Sequence, residues 1–246
     1  NNASQGTQCI VRDPTGAFSC LHLTCRGINI YFSDINDLLA LDLLRFTINK
    51  KYLAAYLKYE FMQSNSTGLN DVFKLSPGGC HKITQKGITS SFLWTPHTIY
   101  KKRIIEDPVK AAQLLYNVTQ NCVTSWVECH HSIFHRFSGG LDSSIVLSCL
   151  KHGSNPLDVT CLNYFTSSPD GDERRYARPA AETSQYKLLE KQLEPAAVTL
   201  EKILKMSKSA EPESYLFGVD RGNYETRMAE IYQPAAIFSG HGGDSI

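Results

Sequence analysis

Phe137-Ser138-Gly139-Gly140-Leu141-Asp142-Ser143-Ser144 is the stretch whose reading decides the fold. Before it, residues 132–137 form a short run dense in apolar, β-favouring side chains, closed by Ser-Gly-Gly as a strand end should be. After it, Leu141, Ile145, Val146, Cys149 and Leu150 recur at helical spacing, with Asp142 or Ser143 in the first turn. Gly139 and Gly140 lack a Cβ, so backbone N–H groups can approach a ligand closely with the positive end of the helix dipole behind them. Strand, glycine loop and helix together predict an anion cradle, and ATP is the first ligand to consider. The plainer reading, a serine- and glycine-rich turn capping an ordinary helix, suits a lone Gly-Gly pair better than this whole string.

The cradle differs from the phosphate loop that ends in Gly-Lys-Ser/Thr, because Leu141 and then an aspartate follow the glycines. An acid beside bound phosphates repels them unless a divalent cation intervenes, and Mg²⁺ is held by one or two carboxylates plus phosphate oxygens. A second segment repeats the pattern. Ala235-Ala236-Ile237-Phe238 reads as a strand running into Ser239-Gly240-His241-Gly242-Gly243-Asp244. Ligands bind outside the carboxyl ends of strands in open α/β sheets, so both loops are expected at one nucleotide, with Asp142 and Asp244 as metal ligands. His241 is a candidate proton acceptor or substrate contact; its alternative is a turn histidine bonded to backbone.

The Ser-Gly-Gly-Leu-Asp-Ser-Ser string followed by Gly-His-Gly-Gly-Asp resembles the synthetase domain of the asparagine synthetase superfamily. Residues 158–164 fit as a strand, and Ser168-Pro169-Asp170-Gly171-Asp172-Glu173-Arg174-Arg175-Tyr176-Ala177 resembles the segment that opens the next helix in that family. The wording of that segment and His241 are most similar to lasso-peptide macrocyclases; asparagine synthetases usually carry Glu at the His241 position and β-lactam synthetases Tyr. The resemblance implies a parallel-sheet, adenine-nucleotide α-hydrolase-like (PP-loop) α/β fold. It implies ATP and Mg²⁺ as cofactors. Phe137, Ser138, Gly139, Gly140, Asp142, Ser143 and Ser144 would hold ATP from one loop, Ser239 and Gly240 from the other, and Asn163 and Tyr164 would contact adenine. Asp142, Asp244 and His241 would be catalytic.

Upstream, Arg12-Asp13-Pro14-Thr15-Gly16, the apolar runs 17–24 and 28–32, and the stretch from Val72 to Pro96 resemble the last strands and linker hairpin of the family's amidotransferase domain. The expected organisation is residues 1–100 as a partial, inactive class II glutamine amidotransferase-like α+β/β domain, and residues 101–246 as the ATP-binding domain, incomplete at its C-terminus. Glutamine hydrolysis in the family needs an N-terminal cysteine, whereas these residues begin Asn1-Asn2-Ala3 and Cys9 is internal. The family's catalytic lysine is expected beyond Ile246.

Composition is compatible with this reading. In 246 residues with 42% hydrophobic content there is material for one large or two modest cores, and a net charge of +1 offers no global field for nucleic acid or membrane. No run of about eighteen apolar residues suggests a span. Eight cysteines without a Cys-x-x-Cys pair read as buried reduced thiols of a cytoplasmic enzyme, and Cys129-His130-His131 lacks the second ligand pair of a zinc site. Helices are expected over 50–62 and 107–129, the latter placing Val109, Ala112, Leu115, Val118 and Cys122 against the sheet. Residues 201–208 read as the solvated face of a further helix, and residues 100–106 as the domain boundary.

The expected activity is AMP-forming amide ligation. A side-chain carboxylate of a peptide is adenylated, and the peptide's N-terminal amine closes an isopeptide ring. The resemblance also implies a leader-binding protein and a leader peptidase as partners. Alternatives are a small-molecule amide ligase of the asparagine or β-lactam synthetase type, the pyrophosphatase domain of a nucleotide- or tRNA-modifying enzyme, and a non-catalytic scaffold.

Overall fold

Gly-Gly and Pro punctuation cuts this chain into short strands and helices. The computed structural model describes residues 6–59, 64–101, 104–153, 156–193, 199–212 and 217–242. It divides into two units, Asn1–Ile104 with Ser207–Ser214, and Ile105–Met206 with Tyr215–Ile246.

The first unit contains β1 (Gln8–Val11), β2 (Leu21–Cys25), β3 (Ile28–Phe32), α1 (Ile35–Ala40), α2 (Lys50–Lys58), β4 (Phe73–Lys74), β5 (Gly79–Thr84), β6 (Gly87–Phe92) and α3 (Pro96–Tyr100). Its strands form two antiparallel sheets, ordered β1-β5-β6 and β3-β2-β4. The strand expected from residue 17 begins only at Leu21. The cause is local: the Asp13 carboxylate accepts the Ala17 and Phe18 N–H groups, which are thereby withdrawn from any ladder. Leu21, Leu23, Leu38 and Val72 form a core that Ala210 completes from the 207–214 segment.

The second unit contains α4 (Pro108–Val127), β7 (Ser132–Arg136), α5 (Leu141–Lys151), β8 (Asp158–Phe165), α6 (Arg174–Ser184), β9 (Lys187–Gln192), α7 (Leu200–Leu204), α8 (Phe217–Tyr232) and β10 (Ala236–Ser239). The sheet is parallel and ordered β10-β7-β8-β9. From β7 the chain crosses to β8 on one side, while β10 lies on the other. The strand order therefore reverses between β7 and β10, which is where an open α/β sheet leaves a crevice.

Alternate residues of β7 face opposite sides of the sheet. Ile133 joins Phe137, Leu147, Leu150, Val159, Cys161, Ala177 and Ala181 in a core beneath α5 and α6. Phe134 meets Tyr232 of α8 edge-on on the other face.

Helix α4 departs from expectation. Val109, Ala112, Leu115, Val118 and Cys122 are all exposed. The helix docks through its C-terminal portion, where Val123 and Val127 enter the core and Gln120 donates to the Cys149 carbonyl of α5. The sheet face is already covered by α5 and α6, so periodicity identified the apolar stripe but not its neighbour. The cysteines depart as well. Cys80, Cys149 and Cys161 are buried, Cys9, Cys122 and Cys129 are exposed, and none of the eight is in a disulfide. Helix α2 ends at Lys58 in the described residues, and the rest of the expected 50–62 helix lies largely outside them. No helix among the described residues is long and apolar enough to cross a membrane.

Candidate functional site

At the carboxyl end of β7 the chain is held from below before it turns. Phe137 is 1% exposed and belongs to the core; its N–H donates to the Leu162 carbonyl at 2.9 Å. Asn163, equally buried, donates from Nδ2 to the Phe137 carbonyl at 2.8 Å and the Ser138 carbonyl at 3.1 Å. Of the residues expected to bind nucleotide, Phe137 and Asn163 therefore have their side chains committed beneath the loop. The Asn163 Oδ1 is buried without a partner among the described residues, a polar atom that a ligand or water would satisfy.

The loop is then closed by its own hydroxyls. Ser138 Oγ accepts the Gly140 N–H at 3.0 Å and lies 3.2 Å from Ser143 Oγ. Ser143 and Ser144 donate to the Gly140 carbonyl at 3.1 and 2.8 Å. Gly139 has φ +97°, and a Cβ there would stand 2.7 Å from the Ala177 nitrogen, so the loop rests directly on the first turn of α6. Gly140 is the N-cap of α5 and supplies no side-chain cap, while half-buried Asp142 occupies the first turn.

The second loop reaches the same helix start. Phe238 and Ser239 of β10 lie opposite His135 and Arg136 of β7. A Cβ on Gly240 would fall 2.5 Å from the Ser143 nitrogen and 2.6 Å from the Asp142 carbonyl carbon. Only a bare backbone fits there, so both glycine loops converge on the N-terminus of α5. Ser239 is exposed beside Gly240, and His241 is exposed in the turn that follows; Gly243 and Asp244 lie outside the described residues. His135 is fully buried, with Nε2 2.9 Å from the Ser143 carbonyl and Nδ1 without a hydrogen-bond partner among the described residues. Burial holds its pKa below the ordinary value, so the ring is neutral near pH 7.

Sequence reasoning missed Glu225. From α8 it accepts two bonds from Arg136, Nε to Oε1 and Nη2 to Oε2, each 2.7 Å, and the Tyr164 hydroxyl donates to it at 2.9 Å. Burial opposes the Glu225 charge, but the Arg136 and Tyr164 bonds outweigh it and hold the carboxyl below its ordinary pKa. Tyr164 is raised, by burial first and then by the carboxylate. The side chain of Tyr164, expected near adenine, is thus committed on the α8 face. A signal was present: Arg136 ends a strand that is otherwise buried, and such a charge requires an acid. Glu173, the N-cap of α6, stands by the first loop, its Oε2 3.8 Å from where a Gly140 Cβ would be. Beside it Asp172 forms a two-pronged pair with Arg174, which lowers its pKa to about 2, and the Arg174 guanidinium lies 3.6 Å over the Phe165 ring.

These features define the PP-loop class of α/β proteins: a parallel sheet, a switch point, and glycine loops that leave a helix start open to an anion. Within that class the chain belongs to the asparagine synthase family, whose model matches residues 116–246, more than half of it. No curated protein matches. Similar solved structures include the NMN synthetase from Francisella tularensis, at 18% identity and TM-score 0.35, covering 49% of this chain and 52% of that one. Another is the NH3-dependent NAD synthetase from Campylobacter jejuni in complex with the nitrate ion, at 16% identity and TM-score 0.32, covering 49% and 50%. The chain thus spans about half the length of these structures.

The open α5 start, the bare backbone at Gly139 and Gly240 and the unsatisfied Asn163 Oδ1 fit a polyphosphate ligand such as ATP. Among the described residues there is no group of three His, Cys, Asp or Glu side chains that could hold a metal ion.

Proposed function

We propose that this protein is an ATP- and Mg²⁺-dependent, AMP-forming amide ligase that activates a side-chain carboxylate of a peptide and closes an isopeptide ring with the N-terminal amine. The observation that carries the ATP-dependent reading is the convergence of two side-chain-free backbones on the uncapped start of α5. ATP supplies the leaving group that makes a carboxylate reactive toward an amine. Ser138, Gly139, Gly140, Ser143, Ser144, Ser239 and Gly240 would hold its phosphates, and Asp142 and Asp244 would hold Mg²⁺, which would supply charge neutralisation for the leaving group. Asn163 keeps the Phe137 and Ser138 carbonyls in place, so the cradle is formed before the ligand arrives. Exposed His241 takes the proton from the attacking amine. The ring-closing specificity rests on the resemblance of residues 168–177 and of His241 to lasso-peptide macrocyclases. With it come a leader-binding protein and a leader peptidase as partners, a cytoplasmic location, and an N-terminal amidotransferase-like unit.

The test is ATP–pyrophosphate exchange by the full protein, with linear core peptides and, separately, aspartate as substrate, read beside mass spectrometry for loss of one water. A peptide-stimulated exchange that Asp142→Asn lowers by about 100-fold or more, with the melting temperature within a few degrees of wild type, is expected. Exchange stimulated by aspartate and not by peptide would replace the ring-closing reading with a small-molecule ligase. Activity unaffected by Asp142→Asn would remove Asp142 from the site, and exchange with neither substrate would leave a scaffold.

A further inference from the structure

The first unit holds a cavity of about 510 Å³ that no part of the ligase reading uses; Arg12, Ser19, Asn65, Lys74, Ser76 and Glu211 are in its wall. That volume is within the range of small-molecule sites, but such sites are mostly apolar and this wall is mostly polar. Its occupant must therefore be recognised by hydrogen bonds and charge.

The charges in the wall are unequal. Lys74 is paired with Glu211, which also accepts the Tyr52 hydroxyl at 2.8 Å, so that side of the cavity is neutral. Arg12 is different. Its Nε donates to the Phe18 carbonyl at 2.8 Å, Nη1 to Leu75 at 2.7 Å and Nη2 to Gly16 at 2.9 Å. Three carbonyls fix the guanidinium in place without cancelling its charge, and no carboxylate is within ion-pair distance of it among the described residues. Of the five N–H donors on a guanidinium, two remain uncommitted among these partners. A half-buried cation held rigid in this way is a ready partner for one anion. Across the wall the Ser76 hydroxyl donates to Asn65 Oδ1 at 2.6 Å, which orients the Asn65 amide with its nitrogen still available as a donor.

We propose that this cavity binds a small polar carboxylate, with Arg12 taking the carboxylate and Asn65 and Ser19 hydrogen-bonding the remainder. A carboxylate fits better than a phosphate because the uncompensated charge is a single one: a phosphate ester carries about −1.5 to −2 at pH 7, and the second cation, Lys74, already serves Glu211. The site lies wholly within the first unit and does not depend on the ligase activity of the second.

Isothermal titration of the full chain tests this with succinate and L-glutamate as probes, and inorganic phosphate and neutral succinamide beside them. At least one of the two carboxylates should saturate a single site, phosphate and succinamide should bind at least tenfold more weakly, and excess ATP should not compete. Ser19 is exposed and makes none of the Arg12 bonds, so Ser19→Trp should fill the mouth and weaken binding at least tenfold with an unchanged melting temperature. Arg12→Lys keeps the charge but not the fork and should weaken binding similarly; if it fails to fold, Ser19→Trp decides alone. Absence of saturable carboxylate binding, binding that survives Ser19→Trp, competition by ATP, or phosphate binding as tightly as the carboxylates would each overturn the assignment.

Discussion

Helices α4 and α5 pack against each other, yet their N-termini are finished in opposite ways. Asp107 caps α4, accepting the Val109 and Lys110 N–H groups at 2.9 and 3.3 Å, and Pro108 occupies the first turn, where its missing donor does no harm. The start of α5 has Gly140 as its cap, with no side chain to offer, and bare backbone at Gly139 and Gly240 packed nearby. The first arrangement satisfies the orphan donors within the protein. The second leaves them, with the helix dipole behind them, for a ligand. A helix start is thus either stabilised or made available, and one cap residue makes the difference.

The strongest way to break the contrast is at Gly240. Its missing Cβ is 2.5 Å from backbone that has nowhere to go, so Gly240→Val should destabilise the protein by about 3 kcal/mol, the upper part of the range for overpacking. Pyrophosphate exchange should fall at least 100-fold even at temperatures where the variant is folded, since the two loops can no longer meet.

Next is Glu225→Ala, which leaves Arg136 and Tyr164 without their acceptor. We expect a loss of about 2 kcal/mol by urea denaturation, less than for a fully buried pair because the Arg136 side chain is 36% exposed. Nucleotide affinity should fall with it if the ends of β7 and β8 carry the loop; a stability loss with unchanged affinity would separate this network from the site. Asp107→Ala should cost about 1 kcal/mol and leave exchange activity at wild-type level, because the α4 cap serves stability alone.

The smallest and sharpest change is Gly140→Ser. Gly140 has φ −72° and ψ 171°, a conformation that serine adopts, and a new hydroxyl there could cap α5 as Asp107 caps α4. A Cβ there would stand 3.2 Å from Ser138 Oγ, which offsets the gain from the cap, so stability should change by less than about 1 kcal/mol, while the affinity for ATP, measured by titration calorimetry, falls. Unchanged affinity would show that the open helix start is not where phosphate binds.

Much of this contrast was legible in the residues. Asp107-Pro108 marks a helix start by side-chain chemistry, and Ser138–Ser144 marks another by the absence of side chains; both are local signals and both elements formed where expected. The strands at 132 and 158 were legible because buried parallel strands are rich in apolar residues, and the edge strand at 236 because its short apolar run stops at Ser-Gly. Glu225 was not, because its meaning depends on Arg136, 89 positions away. Nor was the surface of α4: an apolar stripe is a property of one helix, whereas burial of Leu115 and Val118 requires a neighbour, and the neighbouring face was already taken.

The sequence by itself determined the local form of the loop, since a strand, two glycines, an aspartate and a helix start specify an uncapped helix N-terminus through backbone geometry that any fold must obey locally. Tertiary structure alone decided which segments share it. Only the reversal of strand order places Gly240 on the backbone of Asp142 and Ser143, only α8 brings Glu225 to Arg136, and only the 207–214 segment delivers Ala210 and Glu211 to the first unit. The physical reason is the same in each case: capping and φ/ψ preferences act over a few residues, whereas close approach and charge compensation depend on distance in space, which the order of residues does not encode.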